Sequence, residues 1–250
     1  MDRIVKGYSD HRFHKRIGEL IKQYSKNKID IRDEVKKLVD FSHYHRLLDL
    51  GCGYGWFLEP LPASFDFIMG IDCNAENESQ FLSIAKNKSR EAQFKRLFLP
   101  THIDMPSGHF DIIVSAYSLY FFPEALPEIR RLMDPEGVFI VITHSKSMLI
   151  EGERFFSFDN LRKVIESFSA ENGYNILKKF YSRIDYVDYP NELIFTNKDS
   201  QALSQYIDFK RVFIEKDANP EQVKERMLKE LKERKLLSFN KDDRIFLARP

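Results

Sequence analysis

A chain of 250 residues, 43% hydrophobic and 31% charged, has room for one generous domain and buries a core without needing disulfides or a structural metal. Its 39 Lys and Arg against 38 Asp and Glu leave a net charge of +1, which argues against the strongly basic face of a dedicated nucleic-acid binder. Two cysteines, Cys52 and Cys73, are too few for a disulfide framework, and no apolar run reaches the roughly 18 residues of a membrane span. The first residues carry too many charges for a signal peptide, so the expectation is a soluble cytoplasmic protein with no metal site.

Residues 1–45 read as a polar helical cap, with Ile17, Leu20 and Ile21 on one face and Val35, Leu38 and Val39 repeating the pattern. From there short apolar runs alternate with stretches of helical length. Strands are expected at 46–50, 65–72, 94–99, 111–115 and 137–143, with helices at 75–88 and 123–132 between them. Such alternation means βαβ units and a mostly parallel sheet covered on both faces, with ligands beyond the carboxyl ends of the strands. The site is therefore expected just after Leu50, Ile71, Leu99 and Ser115.

Beyond His144 the alternation loosens. Helices are expected from Asp159 through Phe168, over 199–209 and, behind the Asn219-Pro220 start signal, over 221–235. The end of the chain, 236–250, reads as a hairpin turning near 240–243. The organisation expected is one domain: cap 1–45, alternating core 46–145, helices and an insertion 146–235, terminal hairpin 236–250.

Glycines at alternate positions, Gly51, Gly53 and Gly55, follow the buried run Leu47-Leu48-Asp49-Leu50. They let the backbone turn tightly and approach a ligand, with the N–H groups of a following helix behind them. Trp56 stands where a dinucleotide fingerprint needs its third small residue, which argues against that reading. Together, 47–55 resembles the first motif of the class I S-adenosylmethionine-dependent methyltransferases. Gly70-Ile71-Asp72 is similar to their second motif, the strand-end acid 23 residues after Asp49. Ile103-Asp104 resembles the adenine-contacting motif and Ser115-Ala116-Tyr117-Ser118 the loop after the fourth strand. The stretch 130–137 resembles the family's turn into the fifth strand, with Asp134 for the usual Lys and Glu136 for the first Gly.

The resemblance implies a Rossmann-like fold, with a seven-stranded mostly parallel sheet, helices on both faces, an inserted lid before the last strand, and 244–248 as the antiparallel last strand. It implies S-adenosylmethionine as methyl donor and S-adenosylhomocysteine as product. The residues it places around the cofactor are Asp49 near the methionine end, Gly51, Cys52, Gly53, Gly55, Asp72 at the ribose, Cys73, Ile103 and Asp104 at the adenine, Ser115 and Ala116. Tyr8 and Arg12 match the pair that closes over the cofactor in many relatives; a solvated helix face is the alternative.

The acceptor expected is a small molecule or short peptide, methylated at N or O. An RNA or protein methyltransferase and a silent cofactor-binding scaffold are the alternatives. Tyr117, Tyr120 and His144 are the acceptor-side candidates; His144 also suits a plain rim histidine. The run 181–189, with Asp185 and Tyr186, either faces inward and favours an amine or faces outward as an edge strand.

Overall fold

The computed structural model describes residues 11–211 and 219–250. Helices α1 (His11–Tyr24) and α2 (Ile31–Leu38) come first, and Asp30 caps α2 by accepting the Arg32 N–H. There follow β1 (Arg46–Leu50), β2 (Phe65–Asp72), α3 (Glu78–Ala85), β3 (Ser89–Arg96), β4 (Phe110–Ala116), α4 (Leu126–Leu132) and β5 (Met133–His144). The second half holds α5 (Asp159–Ser167), α6 (Gly173–Leu177), β6 (Arg183–Tyr189), β7 (Glu192–Thr196), α7 (Ser200–Lys210), α8 (Pro220–Arg234), β8 (Leu236–Asn240) and β9 (Asp243–Arg249).

The main sheet has seven strands in the order β3-β2-β1-β4-β5-β9-β6. Strands β1 to β5 are parallel, and β9 runs antiparallel between β5 and β6. Strand order reverses between β1 and β4, so the loops leaving these two strands part and open a crevice at their carboxyl ends. This is the Rossmann-like arrangement expected, including the antiparallel last strand.

Alternate strand residues feed opposite faces. Leu47, Ile68, Ile112 and Ile140 pack with α2 and α3 on one side, while Leu48, Met69, Ile113 and Phe139 pack with α4 and α6 on the other. A third apolar cluster joins Leu20 of α1 to Leu193 and Phe195 of β7, Leu203 of α7, Leu231 of α8 and Phe239 of β8. It backs a separate two-stranded sheet, β7 with β8. No helix among the described residues is long and apolar enough to cross a membrane.

Four expectations need correction. Strand β3 occupies 89–96, not 94–99, because its pairing with β2 runs from Phe65↔Ser89 to Asp72↔Arg96 and stops where β2 stops. As an edge strand it needs no continuous apolar run, and the apolar Leu97-Phe98-Leu99 is released into the crevice loop. The end of the chain is not a hairpin: β8 pairs with β7, while β9 inserts between β5 and β6. The link between them is tied to the β6–β7 corner, where Lys241 N–H donates to Asn191 O and Asn191 N–H to the Asp242 carboxylate. Strand β6, expected inside the insertion, belongs to the main sheet. The glycine turn leads into one 3-10 turn, Trp56–Leu58, not a longer helix.

Candidate active site

The glycines after β1 share a left-handed backbone but do different things. A Cβ on Gly51 (φ +66°) would lie 2.4 Å from Ser118 Cβ, so Gly51 permits the close approach of the loop after β4. At Gly53 (φ +51°) a Cβ would meet nothing within 4 Å. Gly55 faces Phe81 and Ile84 of α3 instead and does not line the crevice.

Asp72, at the end of β2, organises this turn. Its Oδ2 accepts the Gly53 N–H at 2.9 Å and its Oδ1 the Asn74 N–H at 2.8 Å. Burial nevertheless holds its carboxyl above the usual carboxylate range. Asp49 is more extreme. It is 2% exposed, its Oδ2 has no hydrogen-bond partner, and burial, reinforced by the Asp72 charge, pushes its pKa up to about 8. Both carboxylates line one cavity of about 580 Å³, to which Gly51, Cys52, Gly53, Cys73 and Asn77 also contribute. Burial raises both thiols, that of Cys52 well above its ordinary value, so neither is an activated nucleophile.

The cavity continues past the end of β3, where Leu97, Phe98 and Leu99 line it and Phe98 is 62% exposed. Ile103 and Asp104, expected at the adenine, lie outside the lining. Ile103 is buried in the core, its N–H donating to Glu128 Oε1 and its carbonyl accepting from Arg131. The Asp104 side chain is exposed and its carbonyl accepts from Lys95. The Glu128–Arg131 pair has pulled this loop onto α4, away from the crevice. Ser115 is also turned inward: its hydroxyl bonds Ser118 Oγ at 2.6 Å, and Ser118 donates to Leu50 O. Ala116 and Ser118 line the cavity in its place.

On the opposite wall, α1 contributes His14, Lys15, Gly18 and Lys22. Arg12 is exposed and outside that lining, whereas Tyr8 lies outside the described residues. Arg32 places its guanidinium 4.4 Å from the Trp56 ring centroid and pairs with Asp30 and Glu59, which fixes the indole as a cavity wall.

The far end is built around Tyr117, Tyr120 and His144, which the structure brings together. Tyr117 adopts φ +58° just past β4, a strained conformation for a tyrosine. Its ring stacks on His144 at 4.7 Å and its hydroxyl donates to Asp243 Oδ2 at 2.8 Å. Tyr120 stacks on His144 at 5.8 Å. His144 Nδ1 lies 2.7 Å from Asp243 Oδ1, and Lys241 Nζ donates to Asp243 Oδ2 at 2.6 Å. Burial and the Lys241 charge lower His144 to about 4, against the opposing pull of Asp243. Lys210, from α7, is buried beside this cluster and lowered to about 7 by burial and by Lys241.

Asp243 and Lys241 escape the sequence reading because Lys241-Asp242-Asp243 has the composition of a surface turn, and Lys210 because it is the polar last residue of α7. The signal was strand pairing: antiparallel β9 sets Asp243 opposite His144. Asp185 and Tyr186 do not reach the cavity. Asp185 is paired with Arg249 and Arg183, while Tyr186 is half exposed beneath the Arg244 guanidinium. For Asp185 and Tyr186 the edge-strand reading holds, whereas Tyr189, at the end of the same run, is buried and lines the cavity.

A family model described as "Methyltransferase domain" matches residues 10–181. No curated protein sequence matches the chain at a significant level. Among solved structures the fold is similar to that of YcgJ from Bacillus subtilis, with a TM-score of 0.58 and 18% identity over 88% of this chain and 98% of that one. A putative methyltransferase from Bacillus halodurans has a TM-score of 0.58 at 11% identity, covering 87% of this chain and 97% of that one. A putative methyltransferase from an antibiotic biosynthesis pathway of Anabaena variabilis has a TM-score of 0.58 at 11% identity, covering 88% and 96%. At such identities these structures speak to the fold.

Proposed function

The chain belongs to the class I S-adenosylmethionine-dependent methyltransferases, and on that premise we propose that it methylates a small molecule or short peptide at nitrogen or oxygen, within one catalytic unit whose acceptor side is roofed by residues 146–235. The observation that carries this reading is the unpartnered Asp49 Oδ2, buried at the wall of a cavity of about 580 Å³. A buried carboxylate without a donor calls for a cation or a hydrogen-bond donor from a ligand, and the α-ammonium of the cofactor's methionine part meets that need.

The other residues present fit the same group. The Gly53 face, open where a Cβ would sit, admits the ligand against the backbone, and Asp72, at the β2 end, accepts from the ribose hydroxyls. Leu97, Phe98 and Leu99 take the adenine, in place of Ile103 and Asp104. The α1 face at His14, Lys15 and Gly18 covers the cofactor; Arg12 stands just before it. When bound, S-adenosylmethionine supplies an electrophilic methyl carbon whose sulfur keeps the C–S electron pair. The protein holds the acceptor in line with that carbon and excludes water, which is worth about 7–11 kcal/mol in favourable cases.

The cavity's volume of about 580 Å³ and its buried lining residues Tyr120, His144 and Phe209 support a compact acceptor over a duplex or a protein surface. Calorimetric titration with S-adenosylmethionine and with S-adenosylhomocysteine tests the reading. Micromolar binding of both is expected, and absence of binding to either overturns it.

A further inference from the structure

Asp243 is 3% exposed and accepts from three groups: Tyr117 Oη, Lys241 Nζ and His144 Nδ1. Burial acts to raise its carboxyl, yet Lys241 and His144 pull it below the ordinary value, so it stays ionised. An ionised carboxylate has no proton to give, so the proton shared at 2.7 Å sits on Nδ1. The neutral ring then keeps its lone pair on Nε2. The rings of Tyr117 and Tyr120 stack near-parallel to the imidazole, at 27° and 23°, and restrict its plane. Among the described residues no group bonds Nε2, and His144 lines the cavity.

Resting on the methyl-transfer function proposed above, we infer that the acceptor is a hydroxyl compound, a phenol or an alcohol, whose proton is taken by His144 Nε2, and that Asp243 is the positioning residue fixing the tautomer. The charges at this end discriminate against an amine. An ammonium acceptor would sit beside Lys241 and Lys210, and the carboxylate that could attract it, Asp243, is already shared among three donors. A hydroxyl reverses the sign. As its proton leaves, negative charge develops on oxygen close to the Lys241 ammonium, and Lys210, lowered to about 7, gains a reason to hold its proton.

The groups facing His144 come from every element packed on it: Tyr117 and Tyr120 from the loop after β4, Asp243 from β9, Lys241 from the β8–β9 link and Lys210 from α7. Burial and Lys241 keep the imidazole neutral at pH 7, with a value of about 4. So weak a base cannot hold the proton in advance; it takes it as the oxygen's charge is consumed. The O–H bond breaks with its proton passing to Nε2, an O–C bond forms to the donated methyl, and the C–S pair stays on sulfur. Positive charge thus passes from the sulfonium to the imidazole, and the proton then leaves to solvent.

The tautomer can be read without any acceptor. Protein labelled with ¹⁵N-histidine, the His144 signals assigned by their loss in His144→Gln, should show a neutral ring protonated at Nδ1 at pH 7. A ring protonated at Nε2, or an imidazolium at that pH, overturns the base assignment. Transfer from tritiated S-adenosylmethionine to p-cresol and benzyl alcohol, against benzylamine, supplies the second readout. Methylation of a hydroxyl probe, reduced at least about 100-fold in kcat by His144→Gln, is expected. Methylation of benzylamine alone, or transfer to a hydroxyl at the wild-type rate by His144→Gln, overturns the inference. Asp243→Asn should shift the Nδ1–H population and lower kcat more than it raises KM. Calorimetry with S-adenosylmethionine on the same variants separates the two levels: unchanged binding with the wrong tautomer sinks the base alone, whereas no binding in the wild type sinks the function on which it rests.

Discussion

Replacing Asp49 by Asn should stabilise the ligand-free protein while weakening its grip on the cofactor. In the folded chain the carboxyl titrates near 8 against 3.8 for the free group, because it is buried, has one oxygen without a donor, and faces Asp72. Between those two values the folded state holds a proton that the unfolded state has released. Stability is therefore greatest below the free value and falls as pH rises, until the folded group itself ionises. The slope approaches 1.4 kcal/mol per pH unit, and by pH 7 the accumulated cost approaches about 4 kcal/mol. Asparagine does not titrate, but it leaves a buried amide without a partner, at about 1–3 kcal/mol. The variant should thus be more stable than wild type by roughly 1–3 kcal/mol at pH 7, an advantage gone near pH 5. Urea unfolding of both proteins at unit steps of pH measures this directly. A difference that does not change with pH, or a variant less stable at pH 7 and above, would refute the burial argument. Cofactor titration in buffers of different ionisation enthalpy adds a second test: wild type should release close to one proton on binding at pH 7, and the variant none.

Asp72→Ala should lower S-adenosylmethionine affinity at least about 100-fold, since it removes two acceptor oxygens and the anchor of the Gly53 and Asn74 N–H groups; near-native affinity by calorimetry would remove the ribose assignment. The glycines should separate stability from binding. Gly51→Ala forces a Cβ to 2.4 Å from Ser118 and should lower the melting temperature sharply, whereas Gly53→Val adds only backbone strain of about 1–3 kcal/mol but fills the open face and should abolish binding. His144 and Lys210 are both lowered by burial, so the unfolded state binds more protons from about 4 to 6.5 and from about 7 to 10.5. Stability should rise with pH through each window, and Lys210→Met should flatten the upper one in urea titrations.

What was legible in the sequence divides along one physical line, local chemistry against long-range pairing. The run 46–50 into three alternate glycines, the strand-end Asp72, and the Asn219 cap that accepts from Glu221 and Gln222 N–H are local, and the structure carries each of them. The errors lie where a partner decides. Leu97-Phe98-Leu99 is apolar enough for a strand, but the sheet ends where β2 ends, so the same residues become a crevice wall. The adenine motif rests on a resemblance carried by neighbouring residues, and the Glu128–Arg131 pair instead holds the Ile103 backbone against α4, with Ile103 in the core. The cluster around His144 is half visible for the same reason. His144 was found as a strand-end residue, but its meaning depends on Asp243, 99 residues later, which reads as part of a polar turn until β9 is set antiparallel to β5. The register that places Asp243 opposite His144 also runs β9 between β5 and β6, covering the strand that would otherwise be the edge. One strand placement therefore completes the sheet and supplies the carboxylate beside His144, so variants of Asp243 must be judged by tautomer and kcat rather than by stability alone.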